Sequence, residues 1–127
     1  MTGNEYQKLA MRTNDGNCTF RLEKAVEEVQ RFRGDTGMDI GGVLNACLGL
    51  SGEVGETNDM IKKWIFHGHV LDENKLAKEL GDILWYVAMM CHSLGWNIEE
   101  IMQMNIEKLK ARYPEGFSEE ASIHRKE

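Results

Sequence analysis

Two acidic pairs carry the chemistry this sequence can do: Glu53 and Glu56 in GLSGEVGE, and Glu79 and Asp82 in KELGDILW. Each pair is spaced i, i+3, so on a helix its members share one face with Cβ atoms about 5–6 Å apart. Four carboxylates converging between two packed helices repel one another in a poorly polarisable interior. A fold keeps them there only if a cation neutralises them or water reaches them. Carboxylate oxygens are the ligands that Mg²⁺, Mn²⁺ or Ca²⁺ prefer, and no Cys or His stands at the spacing that would favour zinc. The expectation is a metal-assisted site. The plainer reading of any one pair is a solvated helix face. Two such pairs, each beside a core stripe, weigh against it.

The acids need helices to hold them, and the rest of the chain supplies the signals. A single proline and few β-branched runs among 127 residues predict an all-α, helical-bundle protein of one domain, 1–127. Its core should lie at 43–113, with a charged, irregular C-terminal tail at 114–127. A short helix is expected over 3–13, a turn at NDGN (14–17), and a helix from an N-cap at Thr19 to about Phe32. RGDTGMDIGG (33–42) reads as a loop. The first acidic helix should then run from about Val43 to Phe66 with Cys47, Leu50, Val54, Ile61 and Ile65 as its apolar stripe. Gly49, Gly52 and Gly55 interrupt it at three-residue steps, each costing about 1 kcal/mol relative to alanine. That pattern calls for a partner helix or ligand against the backbone, the alternative being a break near Gly52.

Asp72 is a candidate N-cap for the second acidic helix, Glu73–Leu94, and Gly95 its C-terminal stop. Leu76, Leu80, Ile83, Val87, Met90 and Leu94 form its core face, while Trp85, Ala88, Met89 and His92 lie opposite. A helix apolar nearly all round is buried nearly all round. A chain this short covers only one face, so the Trp85 side predicts a homodimer or homotetramer. Asn97 and Glu100 read as a capping box for a last helix, Ile98 to about Tyr113, closed by Pro114, with Ile101, Met104 (or Met102), Ile106 and Leu109 inward. Asn105, Lys108 and Arg112 share one stripe of it. They either complement the helix dipole or bind the phosphates of an anionic ligand, a role Lys63 could also play from the first acidic helix.

Composition narrows the function classes. A net charge of −6 argues against a nucleic-acid binder, so an anionic ligand needs local counter-charge. Residues 1–12 lack the apolar run of a signal peptide, and no window approaches a membrane span. Cys18, Cys47 and Cys91 have no metal-ligand spacing and fit a reduced, cytoplasmic protein. Ser51 and Cys91 lack a base–orienter pair, which leaves nucleophilic catalysis unsupported. His67 and His69 sit in a connector where they could touch a ligand, although exposed loop histidines usually do nothing special.

Taken together, these words resemble a MazG-like member of the all-α nucleoside triphosphate pyrophosphatase superfamily. The resemblance rests on Glu53-Val-Gly-Glu56, 22 intervening residues, and Glu79-Leu-Gly-Asp82. It is supported by LGLSGEVGE, IKKW, KELGDILWYV and a downstream N-x-x-K-L-x-x-R-Y-P at Asn105, Lys108, Arg112, Tyr113 and Pro114. It covers about 43–118, and segment 17–42 is longer than the shortest members carry there. The resemblance implies a dimer or dimer of dimers that cleaves a nucleoside triphosphate to the monophosphate and pyrophosphate with Mg²⁺, Mn²⁺ being an acceptable substitute. Carried over, Glu53, Glu56, Glu79 and Asp82 would hold the metal, and Lys108, Arg112, Asn105 and Lys63 the phosphate chain. A carboxylate beside the metal would take the proton from water, with Glu56 the first choice and Glu53 or Glu79 the alternatives. Two other readings compete: a narrower dUTP, dCTP or phosphoribosyl-ATP pyrophosphatase, and a non-catalytic helical module that binds through its Trp85 face. A di-iron bundle is disfavoured because neither acidic pair ends in histidine.

Overall fold

The computed structural model of the chain describes residues 1–33 and 37–125. Among these there are six α-helices and no strand. They are α1 (Gly3–Ala10), α2 (Cys18–Arg33), α3 (Ile40–His67), α4 (Glu73–Leu94), α5 (Ile98–Arg112) and α6 (Glu119–Ile123), with a 3-10 turn at Met11–Thr13 after α1.

The site rests on one antiparallel helical hairpin, α3 packed along α4. Its boundaries follow from caps. Asp39 accepts from the Gly42 N–H at 3.0 Å and starts α3, and Gly68, at φ 72°, stops it. Asp72 accepts from the Lys75 N–H at 3.0 Å, and Gly95, at φ 70°, ends α4 as expected. At the end far from the connector the hairpin is tied by the Asp39 N–H, which donates to the Ser93 carbonyl at 2.8 Å.

The seam between the two helices is made of small residues rather than of the predicted apolar stripe. Gly42, Ala46 and Ser93 are buried along it. A Cβ on Gly42 would sit 2.2 Å from Ser93 Oγ, and one on Gly49 2.1 Å from Tyr86 Cε1. The helices approach so closely that side chains have no room there. Of the stripe expected for α3, Leu50 and Ile61 are half-buried, but Cys47, Val54 and Ile65 are exposed, which corrects those three. On α4 the expected core positions Leu76, Ile83, Val87, Met90 and Leu94 are partly buried, whereas Leu80 is exposed.

Gly49 and Gly52 therefore answer differently to the same change. Gly49→Ala drives a methyl into the Tyr86 ring, an overpacking cost of about 1–3 kcal/mol against a helix gain of about 1. A Cβ on Gly52 meets nothing within 4 Å, so Gly52→Ala keeps the gain. Denaturant unfolding should show the first variant weakened and the second strengthened.

Other boundaries shift by a turn. α3 starts at Ile40, inside the loop expected over 33–42, because Asp39 caps it and Gly42 is demanded by Ser93. The part of that loop at 34–36 lies outside the described residues. α2 begins at Cys18, before the cap expected at Thr19. Asn97 accepts from the Glu99 N–H at 2.9 Å, giving α5 a simple cap in place of the expected capping box with Glu100. The tail, expected to be irregular, winds one short helix, α6, where Ser118 accepts from the Ala121 N–H. Met104, Ile106 and Leu109 of α5, expected inward, are exposed in the single chain, as is Trp85 on the outer face of α4.

Candidate active site

Three of the four predicted acids come together on the hairpin. Glu53 and Glu56 reach across from α3 to Glu79 on α4, and one carboxylate oxygen from each lies within 4.8 Å of the other two. Glu79 is buried, Glu53 half-buried and Glu56 exposed, so the cluster opens outward through Glu56. Asp82, one turn along α4 from Glu79, is exposed and outside this group, although its charge is felt at Glu53. Partial burial first, then the charges of Glu56 and Asp82, then Glu79, push the Glu53 carboxyl above the usual glutamate range. Among the described residues none of the three clustered glutamates has an ion-pair partner.

The donor set fits a hard divalent cation. The ligands are all carboxylate oxygens, and an octahedral magnesium site spans about 4 Å between opposite ligands. Oxygens already within 4.8 Å of one another need only a small contraction to meet it. The like-charge strain at Glu53 is what a cation would relieve.

A groove of about 580 Å³ runs from the acids toward the connector. Glu56, Asp59 and Lys63 line it from α3, His69 from the connector, and Lys75 and Glu79 from α4. Gly52 and Gly55 form its bare wall, with open space where their Cβ atoms would be. Of the three glycines spaced at three-residue steps in α3, Gly49 thus serves the helix partner, and Gly52 and Gly55 serve the groove. Lys63 Nζ contacts Asp59 Oδ2 at 2.5 Å, and Lys62 Nζ contacts Asp59 Oδ1 at 3.1 Å. The two lysines, Lys63 first, hold the Asp59 carboxyl below its usual range.

The structure does not bring the predicted phosphate binders of α5 into this groove. Asn105 and Lys108 are exposed on α5, and Arg112 lines a separate groove with Pro114, Ser118 and His124 at the α6 end, its Nε buried without a hydrogen-bond partner among the described residues. Asp59 and Lys75 escaped the sequence reading, whereas His69, read as able to touch a ligand from the connector, does line the groove. Asp59 stands four residues before Lys63, an i, i+4 signal that was present in the text. Lys75 carried no such signal, since its place depends on where the connector delivers α4.

The family model of the MazG nucleotide pyrophosphohydrolase domain matches residues 42–117, which contain all but the first two residues of α3, the acids, α4 and α5. The chain belongs to the MazG family. Among curated proteins, the Gene 37 protein of Mycobacterium phage L5 is 36% identical over 81 residues, covering 61% of this chain and 71% of the phage protein. No solved structure matches the chain. The MazG match begins at Gly42, the first buried residue of the α3–α4 seam, so it takes in all three clustered glutamates and the groove beside them. Among the described residues no helix of this MazG chain is long and apolar enough to cross a membrane.

Proposed function

We propose that the protein is a Mg²⁺-dependent pyrophosphohydrolase that hydrolyses (d)NTP to (d)NMP and pyrophosphate in the cytoplasm, as nucleotide-pool house-cleaning. The observation that carries this reading is the three-glutamate cluster at the head of a groove that also presents lysines. Glu53, Glu56 and Glu79 hold the cation, with Asp82 adding charge from the next turn of α4. When bound, that cation offsets charge on the phosphate oxygens and on the departing pyrophosphate.

The chain's own groups supply the remainder. Glu56, the exposed member, faces incoming solvent and takes the proton from the attacking water. A new P–O bond forms to the water oxygen, the α–β bridging P–O bond breaks, and pyrophosphate leaves with the electron pair. Lys63 holds phosphate oxygens along the groove. Asn105, Lys108 and Arg112 act on the same chain of phosphates only if α5 is repositioned or delivered by another copy. The uncovered Trp85 face of α4 and the exposed apolar residues of α5 support assembly as a homodimer or homotetramer.

Pyrophosphate release measured over the ordinary ribo- and deoxyribonucleoside triphosphates, with Mg²⁺ and with chelator, tests the proposal. At least one nucleotide should be cleaved, and chelation should stop it. No release from any of them would leave a non-catalytic helical module as the surviving reading, whereas release from dUTP or dCTP alone would narrow the enzyme to that base.

A further inference from the structure

The groove changes character along its length. At its head stand the clustered glutamates, and toward the connector the lining gains apolar groups, Met60, Val70 and Leu71, together with His69. The phosphate chemistry proposed above uses none of these four. Val70 is 94% exposed, an apolar side chain on a groove wall that nothing covers among the described residues.

The connector holds this end in place. Gly68, at φ 72°, turns the chain, and the N–H groups of Gly68 and His69 both donate to the Lys63 carbonyl, the latter at 3.1 Å. Asp72 then caps α4. Residues 69–71 are thus pinned between two anchors, beside the last turns of α3. Lys63 itself lies two turns after Glu56, about 10 Å along the helix axis. The groove therefore runs from an acidic head, past a lysine, to an apolar lip. A nucleotide has the matching order: phosphates that take a cation, then the sugar, then a flat ring with apolar faces. Small-molecule sites pair apolar walls with a few placed polar groups, and histidine is among the side chains on which bases stack.

We propose that the connector end of the groove is the nucleobase subsite, where the His69 ring stacks on the base and Met60, Val70 and Leu71 pack around it. This rests on the pyrophosphohydrolase reading and goes past it by placing the base. The substrate lies with its nucleoside toward the connector, and His69 is a specificity-determining residue that favours a nucleotide over a bare polyphosphate.

Titration calorimetry in Mg²⁺ tests this without turnover, comparing inorganic tripolyphosphate with the α,β-methylene analogues of ATP, GTP, CTP and dUTP. The wild type should bind at least one analogue more tightly than tripolyphosphate. His69→Ala should weaken that analogue about tenfold, the loss of one stacked ring, and leave tripolyphosphate unaltered. His69→Phe, which keeps a flat ring without the imidazole nitrogens, should stay within about threefold of the wild type. Val70→Ser should weaken the analogue in the same direction by less. His69 and Val70 are exposed, and the His69 N–H bond to Lys63 survives either change at 69, so melting temperatures should not move. An equal loss of analogue and tripolyphosphate in His69→Ala, with no rescue by phenylalanine, would place phosphates at the connector and overturn the assignment. So would a wild type that binds tripolyphosphate as tightly as every analogue. Nucleotide cleavage by a wild type whose His69→Ala variant binds the analogues normally sinks this proposal and leaves the enzyme reading standing. Analogue binding that depends on the ring at 69, in a protein that cleaves no nucleotide, does the reverse.

Discussion

Glu56→Gln should lower pyrophosphate release by about 10²–10⁴-fold, the range expected when a general base is lost, with an unchanged melting temperature. The two halves of that expectation have separate causes. Glu56 is exposed and has no ion-pair partner among the described residues, so the fold does not lean on its charge. The amide keeps an oxygen that can still face a cation but cannot accept the proton from water. Metal affinity should therefore fall much less than turnover. Single-turnover kinetics beside a metal titration separate the two, and near wild-type turnover would move the base to Glu53 or Glu79.

Glu79→Gln should have the opposite profile: a metal-free protein that is more stable and no longer gains stability from Mg²⁺. Glu79 is only 9% exposed and faces two other carboxylates, an arrangement that costs the fold free energy until a cation arrives. Removing its charge should raise the metal-free melting temperature by a few degrees. Wild-type protein at a Mg²⁺ concentration 100 times its dissociation constant gains about 2.7 kcal/mol, and the variant should lose most of that. The pH dependence checks the same point. Glu53 binds its proton more tightly in the folded state than in the unfolded chain, so folding is disfavoured above its raised value. In chelator, wild-type stability should rise as pH falls from neutral through that value toward the usual glutamate range. Glu79→Gln removes one of the like charges, so this rise should flatten, and Mg²⁺ should abolish it in the wild type. Melting curves against pH in the two proteins decide it. A variant with the wild-type slope would show that Glu79 is not part of the charge cluster.

The acidic hairpin was legible in the sequence because its information is local. Asp72 and Gly95 bracket α4 by cap chemistry alone, and the i, i+3 spacing puts Glu53 beside Glu56 in any α-helix. The same spacing marked Glu79 and Asp82 on α4, of which Glu79 joins the cluster. What was hidden depends on which face of a helix meets its neighbour. Cys47, Leu50, Val54, Ile61 and Ile65 made the obvious stripe on α3, yet only Leu50 and Ile61 of it are half-buried, and the close approach is set by Gly42, Ala46 and Gly49, whose value lies in the volume they lack. Hydrophobicity does not register an absence of volume. The same limit explains α5: its inward face was read from periodicity, but nothing in a single chain covers Met104 or Ile106. Lys62 lies about 100° of helix rotation from Lys63, yet both reach the same Asp59.

That shared carboxylate has a consequence for how Lys63 can work. Asp59 accepts from Lys62 and Lys63 at once, through different oxygens. An incoming anion that draws Lys63 away leaves Asp59 still tethered to Lys62, so the hand-over strands no charge. Lys63 is thus parked on a loan that a neighbour can cover, poised to swing without the fold having to refill the berth it vacates.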